Sequence, residues 1–198
     1  MAINNKDNVS ATIGNKIVGA FFRHEGAYAG AVTPTTNWVS AGFENYGLIS
    51  AEDGVSYSRS ADKNAANAWG RQKVKSTQNN QVTSITLTLI ETTANTFKLT
   101  HGDANVDTDV NGFTQVKDTE FNPGISSIVI LGLLDDGRDV IIFAREAEID
   151  LNLEFAMNDD NITKYPITFE FLDNLTDRAK CMIWIENQLV TPGSGSGS

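Results

Sequence analysis

The chain is poor in the residues on which most chemistry depends. Its single cysteine, Cys181, rules out an intrachain disulfide and most thiolate metal sites. Cys181 sits in an apolar, strand-like run and reads as a small core residue. There are only two histidines, His24 and His101, and neither belongs to an HExxH, GxSxG or Cys-His arrangement. No glycine-rich phosphate loop and no dinucleotide fingerprint occurs, so the sequence points to no enzyme class and to no cofactor. Apolar runs such as residues 128–134 fall well short of a membrane-spanning helix. The first ten residues, MAINNKDNVS, lack the basic and apolar regions of a secretory signal, so a cytoplasmic chain is expected. Cations are scarce as well: 15 Lys and Arg stand against 25 Asp and Glu, a formal net charge of −10. That balance argues against a surface that grips nucleic acid, because phosphate binding is carried by Lys and Arg. It does not argue against a surface past which nucleic acid slides.

What is present suits one globular domain. With 198 residues, 40% hydrophobic and 20% charged, the chain can bury one sizeable core and shows no bias toward disorder. The clearest local unit is residues 82–102, VTSITLTLIETTANTFKLTHG. Ile85, Leu87 and Leu89 alternate with Thr86 and Thr88, the period of a half-buried strand. At Glu91 the period changes. Ala94, Phe97 and His101 are spaced three and four apart, Thr92 or Thr93 can cap a helix over about 92–101, and Gly102 is placed to end it. The expected sheet-facing stripe is Ala94, Phe97, Leu99 and His101, on a helix whose threonines make it dependent on packing.

Elsewhere strands and loops alternate. Residues 1–15 are small and polar and read as an extended arm. Residues 16–25 are a first strand whose double Phe hides the buried face, and residues 26–37 are a loop able to close over a neighbouring surface. Residues 38–43 read as a short strand. Glu52-Asp53-Gly54, between Leu48-Ile49 and Val55-Tyr57, is a hairpin cue. Residues 58–81 are the longest polar stretch and read as a loop around the solitary Trp69, with Arg71 and Lys73 beside it. Long loops of this kind tend to be functional, and Trp is a frequent interface anchor. The plain alternative is that Trp69 folds back on its own core. Residues 103–124 are a polar connection, and strands follow at 125–134, 138–155, 165–172 and 180–186, the first two joined by an Asp135-Asp136-Gly137 hairpin. Residues 191–198 are a flexible Gly/Ser tail excluded from fold reasoning. The expected fold is mainly β: residues 16–190 form a single β-sandwich or partly closed barrel with one flanking helix and long loops.

Two constellations could carry function. Between Phe143 and Phe155, odd positions Phe143, Ile149, Leu151, Leu153 and Phe155 alternate with Glu146, Glu148, Asp150, Asn152 and Glu154. Fully extended, that strand would span roughly 40 Å, so a bend or bulge within it is expected. Successive carboxylates on one strand face lie about 7 Å apart in a line, which makes a surface field rather than a metal or catalytic cluster. Such a line either meets solvent or repels another polyanion. Asp107, Asp109, Asn111 and Gly112 match the opening of a calcium loop, with Gln115 and Asp118 at its ninth and twelfth positions. Asp118 stands where a longer Glu is wanted and no helix pair flanks the segment, so the plainer reading is a polar loop of turn formers without metal. His101, in the last turn of the expected helix, reads as structural, and His24 as a strand-end surface residue.

Three stretches together, YGLISAEDGVSYS, NAWGRQKVKS and VTSITLTLIETTANTFKLTHG, resemble the major tail (tail tube) proteins of long non-contractile-tailed bacteriophages. The resemblance covers residues 38–102, and it departs from the family's pattern at Thr93-Ala94, where Pro or Glu is expected. It implies a β-sandwich subunit that forms hexameric rings stacked into a hollow tube in the virion tail. It also implies assembly in the host cytoplasm, tape measure and tail terminator proteins as partners, and DNA passing through without specific binding. On this reading Glu146, Glu148, Asp150 and Glu154 face the lumen, while Trp69, Arg71 and Lys73 with the N-terminal arm make inter-ring or inter-subunit contacts. The alternative from another class is a stand-alone β-sandwich binding module for carbohydrate or an adhesin-like role. Such a module would show converging aromatics, and Trp38, Trp69 and Trp184 are scattered.

Overall fold

A computed structural model describes residues 20–67, 73–134, 137–150, 163–174 and 179–187. The strands, in chain order, are β1 (Ala20–Glu25), β2 (Glu44–Leu48), β3 (Val55–Asn67), β4 (Lys73–Leu89), β5 (Val106–Val110), β6 (Phe113–Val116), β7 (Ile125–Leu133), β8 (Asp139–Asp150), β9 (Tyr165–Phe171) and β10 (Met182–Ile185). One helix, α1 (Ala94–His101), follows β4. Eight strands make one antiparallel sheet in the order β2-β1-β7-β8-β9-β4-β3, with β10 also paired to β8; β5 and β6 form a separate hairpin. The sheet curls on itself until Ile49, just past β2, bridges Leu89 at the end of β4. Ser50 N–H donates to Thr88 O at 2.7 Å and Ile90 N–H to Leu48 O at 3.1 Å. This single bridge pins two distant strands without closing a barrel, and the fold is β-sandwich-like.

The period-two signal in β4 places Ile85, Leu87 and Leu89 in the main core with Phe21, Ile128, Ile130, Phe169 and Phe171. A second core lies on the opposite face of β1, β7 and β8, where Phe22, Val129, Leu131, Ile141 and Phe143 meet Trp38 and Phe43. The double Phe is thereby explained, since Phe21 enters one core and Phe22 the other. The segment 26–43 covers this second face of its own sheet. Trp38 stacks on Phe143 with ring centroids 5.7 Å apart, and Ser127 Oγ accepts from Tyr28 N–H at 2.7 Å. The buried Arg145 guanidinium donates to the Tyr28 and Gly30 carbonyls.

The helix begins where the threonines allow. Thr93 is the N-cap, its side chain accepting from Thr96 N–H at 3.2 Å, and Gly102 N–H closes the last turn onto Lys98 O at 2.8 Å. Its buried residues are Thr96 and Leu99. Thr96 takes an inward position that the spacing assigned to Ala94 and His101, because its hydroxyl can reach Glu91 O at 2.7 Å. Helix α1 lies along β2, where Asn95 Nδ2 donates to Asn45 O at 3.0 Å. An otherwise open sheet edge is covered in this way.

Four local expectations are corrected. Residues 38–43 form turns rather than a strand, with Asn37 Oδ1 accepting from Ser40 N–H at 3.1 Å and Gly42 at φ +87°. The Glu52-Asp53-Gly54 turn joins no hairpin, because β2 pairs with β1 while β3 pairs with β4. Residues 58–81 are not a loop: their described parts are the long strands of the β3–β4 hairpin. His24 is half-buried, packed on Tyr28 and Phe43.

Glu91, at the strand-to-helix junction, lies against Gly47, where φ is +112° and a Cβ would come within 2.9 Å of the Glu91 carboxylate. Only glycine accommodates both that backbone and that approach. Burial pushes the Glu91 carboxyl above its ordinary range, and a hydrogen bond from the Leu48 backbone pulls it only part of the way back. Because the folded-state pKa is raised, the unfolded chain ionises first, and this residue costs stability as pH rises from the ordinary carboxylate range through the raised value. Glu91→Gln is therefore expected to leave stability unchanged in acid and raise it at neutral pH, as measured by urea denaturation at both. A neutral-pH loss of stability would contradict this.

Candidate functional site

Strand β8 carries an irregularity that decides where its acidic residues go. Ser126 pairs with Ala147 and Ile128 with Ala144, so Ser127 alone opposes both Arg145 and Glu146, which is a β-bulge. Its carbonyls are satisfied from both neighbouring strands. Ser127 Oγ donates to Arg145 O, and Leu172 N–H donates to Glu146 O at 2.9 Å. The bulge reverses the alternation. Before it, Ile142 and Ala144 enter the main core while Ile141 and Phe143 enter the second; after it, Ala147 and Ile149 face the main core. Phe143 and Ile149 thus lie on opposite faces, although the unbroken odd-number pattern puts them together.

Glu148 and Asp150 consequently project from the sheet face opposite the main core, and both are exposed. Glu170 of β9 pairs directly with Glu148, and Thr168 with Asp150. The same two rows continue across β4 and β3, through Ser84 to Ser58 and through Thr86 to Ser56. Thr86 and Thr168 hydroxyls meet at 2.9 Å. The outer side of this sheet therefore has two halves. One is apolar and covered by segment 26–43. The other, among the described residues, is a surface of carboxylates and hydroxyls, and at these row positions there is no Lys or Arg. An open depression of about 410 Å³ at its margin is lined by Asn122, Pro123, Gly124, Glu148, Ile149 and Asp150.

Of the expected acidic stripe, the structure brings Glu148 and Asp150 together. Glu146, at the bulge, accepts from the buried Asn174 side chain instead. Glu154 lies outside the described residues. Glu170 was missed, though the alternation of Tyr165, Ile167, Phe169 and Phe171 with Pro166, Thr168 and Glu170 is the signal that places it. Trp69 and Arg71 also lie outside the described residues, and Lys73 opens β4 opposite Asn67. The calcium-like spacing folds as a hairpin rather than winding around a point. Asn111 and Gly112, at φ +55° and +83°, make the two-residue turn between β5 and β6. Asp107 there pairs with Lys117 Nζ at 3.0 Å. Among the described residues no three His, Cys, Asp or Glu side chains gather as a metal site would require.

Among the described residues, this β-sandwich-like fold presents one sheet face of carboxylates and hydroxyls. The chain belongs to the phage tail tube protein family, which matches residues 1–195. It is accordingly a structural component of the phage tail. Among solved structures it is similar to the anti-feeding prophage cap (AFP tube terminating cap), at 11% identity and a TM-score of 0.41 over 84% of this chain and 88% of that one. No curated protein sequence matches it.

Glu148 and Glu170 are like charges set directly opposite, an arrangement that costs a few tenths of a kcal/mol up to about 1 kcal/mol. Glu170→Gln is expected to stabilise the isolated subunit by an amount in that range, shrinking in high salt as screening removes the repulsion. Chemical denaturation at two salt concentrations measures it; a salt-independent loss of stability would contradict the arrangement.

Proposed function

We propose that the chain assembles into hexameric rings that stack as the tail tube, with the Glu148, Asp150 and Glu170 face lining the bore. The observation that carries this reading is the sheet face of carboxylates and hydroxyls, with two glutamates opposed across β8 and β9. DNA passing through a bore must neither bind nor stall. Carboxylates at the wall repel phosphate, and row positions without Lys or Arg offer no counterion-releasing contact that would hold it. Glu154, which continues the even-numbered pattern after the bulge, extends the acidic lining on this reading, while Glu146, turned onto Asn174 at the bulge, sits at its margin.

The long β3–β4 hairpin, with Trp69, Arg71 and Lys73, serves as the arm that contacts the next subunit or ring, together with residues 1–15. Such head-to-tail contacts suit a cyclic ring that can stack into an open filament. Tape measure and tail terminator proteins are the expected partners at the tube's interior and end, and assembly takes place in the host cytoplasm.

The triple substitution Glu148→Lys, Asp150→Lys, Glu170→Lys tests the role of the face. Tubes are expected to form, since the face lies outside both cores, while DNA ejection measured on purified virions slows by about tenfold or more at low salt and recovers as salt rises. Intact tubes with ejection unchanged at low salt would remove the bore assignment, and a wild-type chain that stays monomeric at every concentration would favour a binding module.

A further inference from the structure

Two hairpins of opposite charge stand out in this fold, the outer part of β3–β4, whose two strands pair with each other, and β5–β6, which packs on α1. In the arm, β9 pairs with β4 only from Thr83 onward, so among the described residues the ladder from Asp62–Asn79 to Asn67–Lys73 consists of β3 and β4 alone. Residues 60–82 carry four cations against one carboxylate, in a chain of net charge −10. Lys63, Lys73 and Lys75 all occupy positions on this ladder. The second ribbon is β5–β6, whose principal contacts with another element are to α1. Residues 103–120 around it carry five carboxylates against one lysine, and Asp103, Asp107, Asp118 and Glu120 are exposed. At its tip, directly after the Asn111-Gly112 turn, Phe113 is 76% exposed, more than any other large apolar side chain among the described residues.

Isolated two-stranded ribbons are marginal in water and gain stability from a packing partner. A phenyl ring held out on a rigid turn is costly to hydrate and suits a central anchor ringed by charge. Within one chain the two ribbons share no strand pairing. We propose that the acidic β5–β6 hairpin of one copy is the docking site for the basic β3–β4 arm of a second copy, with Phe113 as the apolar anchor and Asp118 and Glu120 facing the arm's lysines. The occupant is a second copy of this chain because the complementary charge is found on its own arm, and because the family builds a tube. The inference rests on the reading of the arm as the inter-ring element and names the surface that receives it. Charge pairing of this kind sets the register between partners and weakens as salt rises.

The test uses the full chain, with tube formation followed by negative-stain imaging and sedimentation, and folding by circular dichroism. Three forms are compared with wild type: the hairpin form Asp118→Lys with Glu120→Lys, the arm form Lys73→Glu with Lys75→Glu, and the two combined. Each single form is expected to cut tube yield by about tenfold or more at low salt, and the combined form to restore it, since the attraction is reversed on both sides. Phe113→Ser, at a position exposed enough to leave the fold intact, is expected to lower yield without restoration by the arm form. Normal stacking of both the hairpin form and Phe113→Ser overturns the docking site. If the arm form still loses tubes in that case, the arm reading stands; if it also stacks normally, the arm reading fails too. Loss in both single forms without restoration in the combined form likewise overturns the pairing.

Discussion

The β-bulge at Arg145–Glu146 is the constraint on which the arrangement of surfaces depends. One extra residue in β8 exchanges the two faces of the strand midway along its length. The first half can then be apolar on both sides, with Phe143 in one core and Ala144 in the other, while the second half is apolar on one side only. Ser127 and Leu172 hold the bulge by satisfying its two carbonyls, and an unsatisfied buried carbonyl would cost about 1–3 kcal/mol. Arg145, at the bulge itself, ties down segment 26–43 through the Tyr28 and Gly30 carbonyls. A single backbone irregularity thus fixes where the cover ends and where the bare acidic face begins.

The sheet's edges follow a similar division. The β2 edge is closed by α1, through Asn95 on Asn45 and the half-buried Glu91 against Gly47, whereas β3 carries no further strand among the described residues. An exposed edge normally invites association, and proteins blunt it where association is unwanted. Here one edge is blunted and the other is left in a polar, serine-rich strand of 13 residues. In a tail tube protein, open edges and projecting ribbons are the parts available for contacts between copies.

Much of this was legible in the sequence because it rests on local periodicity. The alternation of Ile85, Leu87 and Leu89, the cap at Thr93 and the stop at Gly102 each depend on a few neighbouring residues, and each appears in the fold. The strands after residue 124 were legible for the same reason. What could not be read depends on partners far along the chain. The Glu52-Asp53-Gly54 turn has the chemistry of a hairpin, yet β3 finds β4 and β2 finds β1, because pairing is decided by which apolar faces can share a core. The polar composition of residues 58–81 concealed two strands, because it offers no apolar alternation from which a strand could be read. The acidic stripe was half legible. Glu148 and Asp150 were found from β8 alone, but Glu170 joins them only through the β8–β9 register, and the bulge turns Glu146 toward Asn174.

The role proposed for the acidic face rests on the chemistry of its described residues. On the proposed reading its carboxylates and hydroxyls hydrogen-bond water and repel phosphate, and its row positions carry no Lys or Arg to hold passing DNA. The most direct measurement is a cryo-EM map of the assembled tube at a resolution that traces β8 and β9. The account predicts that Glu148, Asp150 and Glu170 of every copy line the bore. A map with those three residues on the tube's outer surface, and a different sheet face toward the bore, would contradict it.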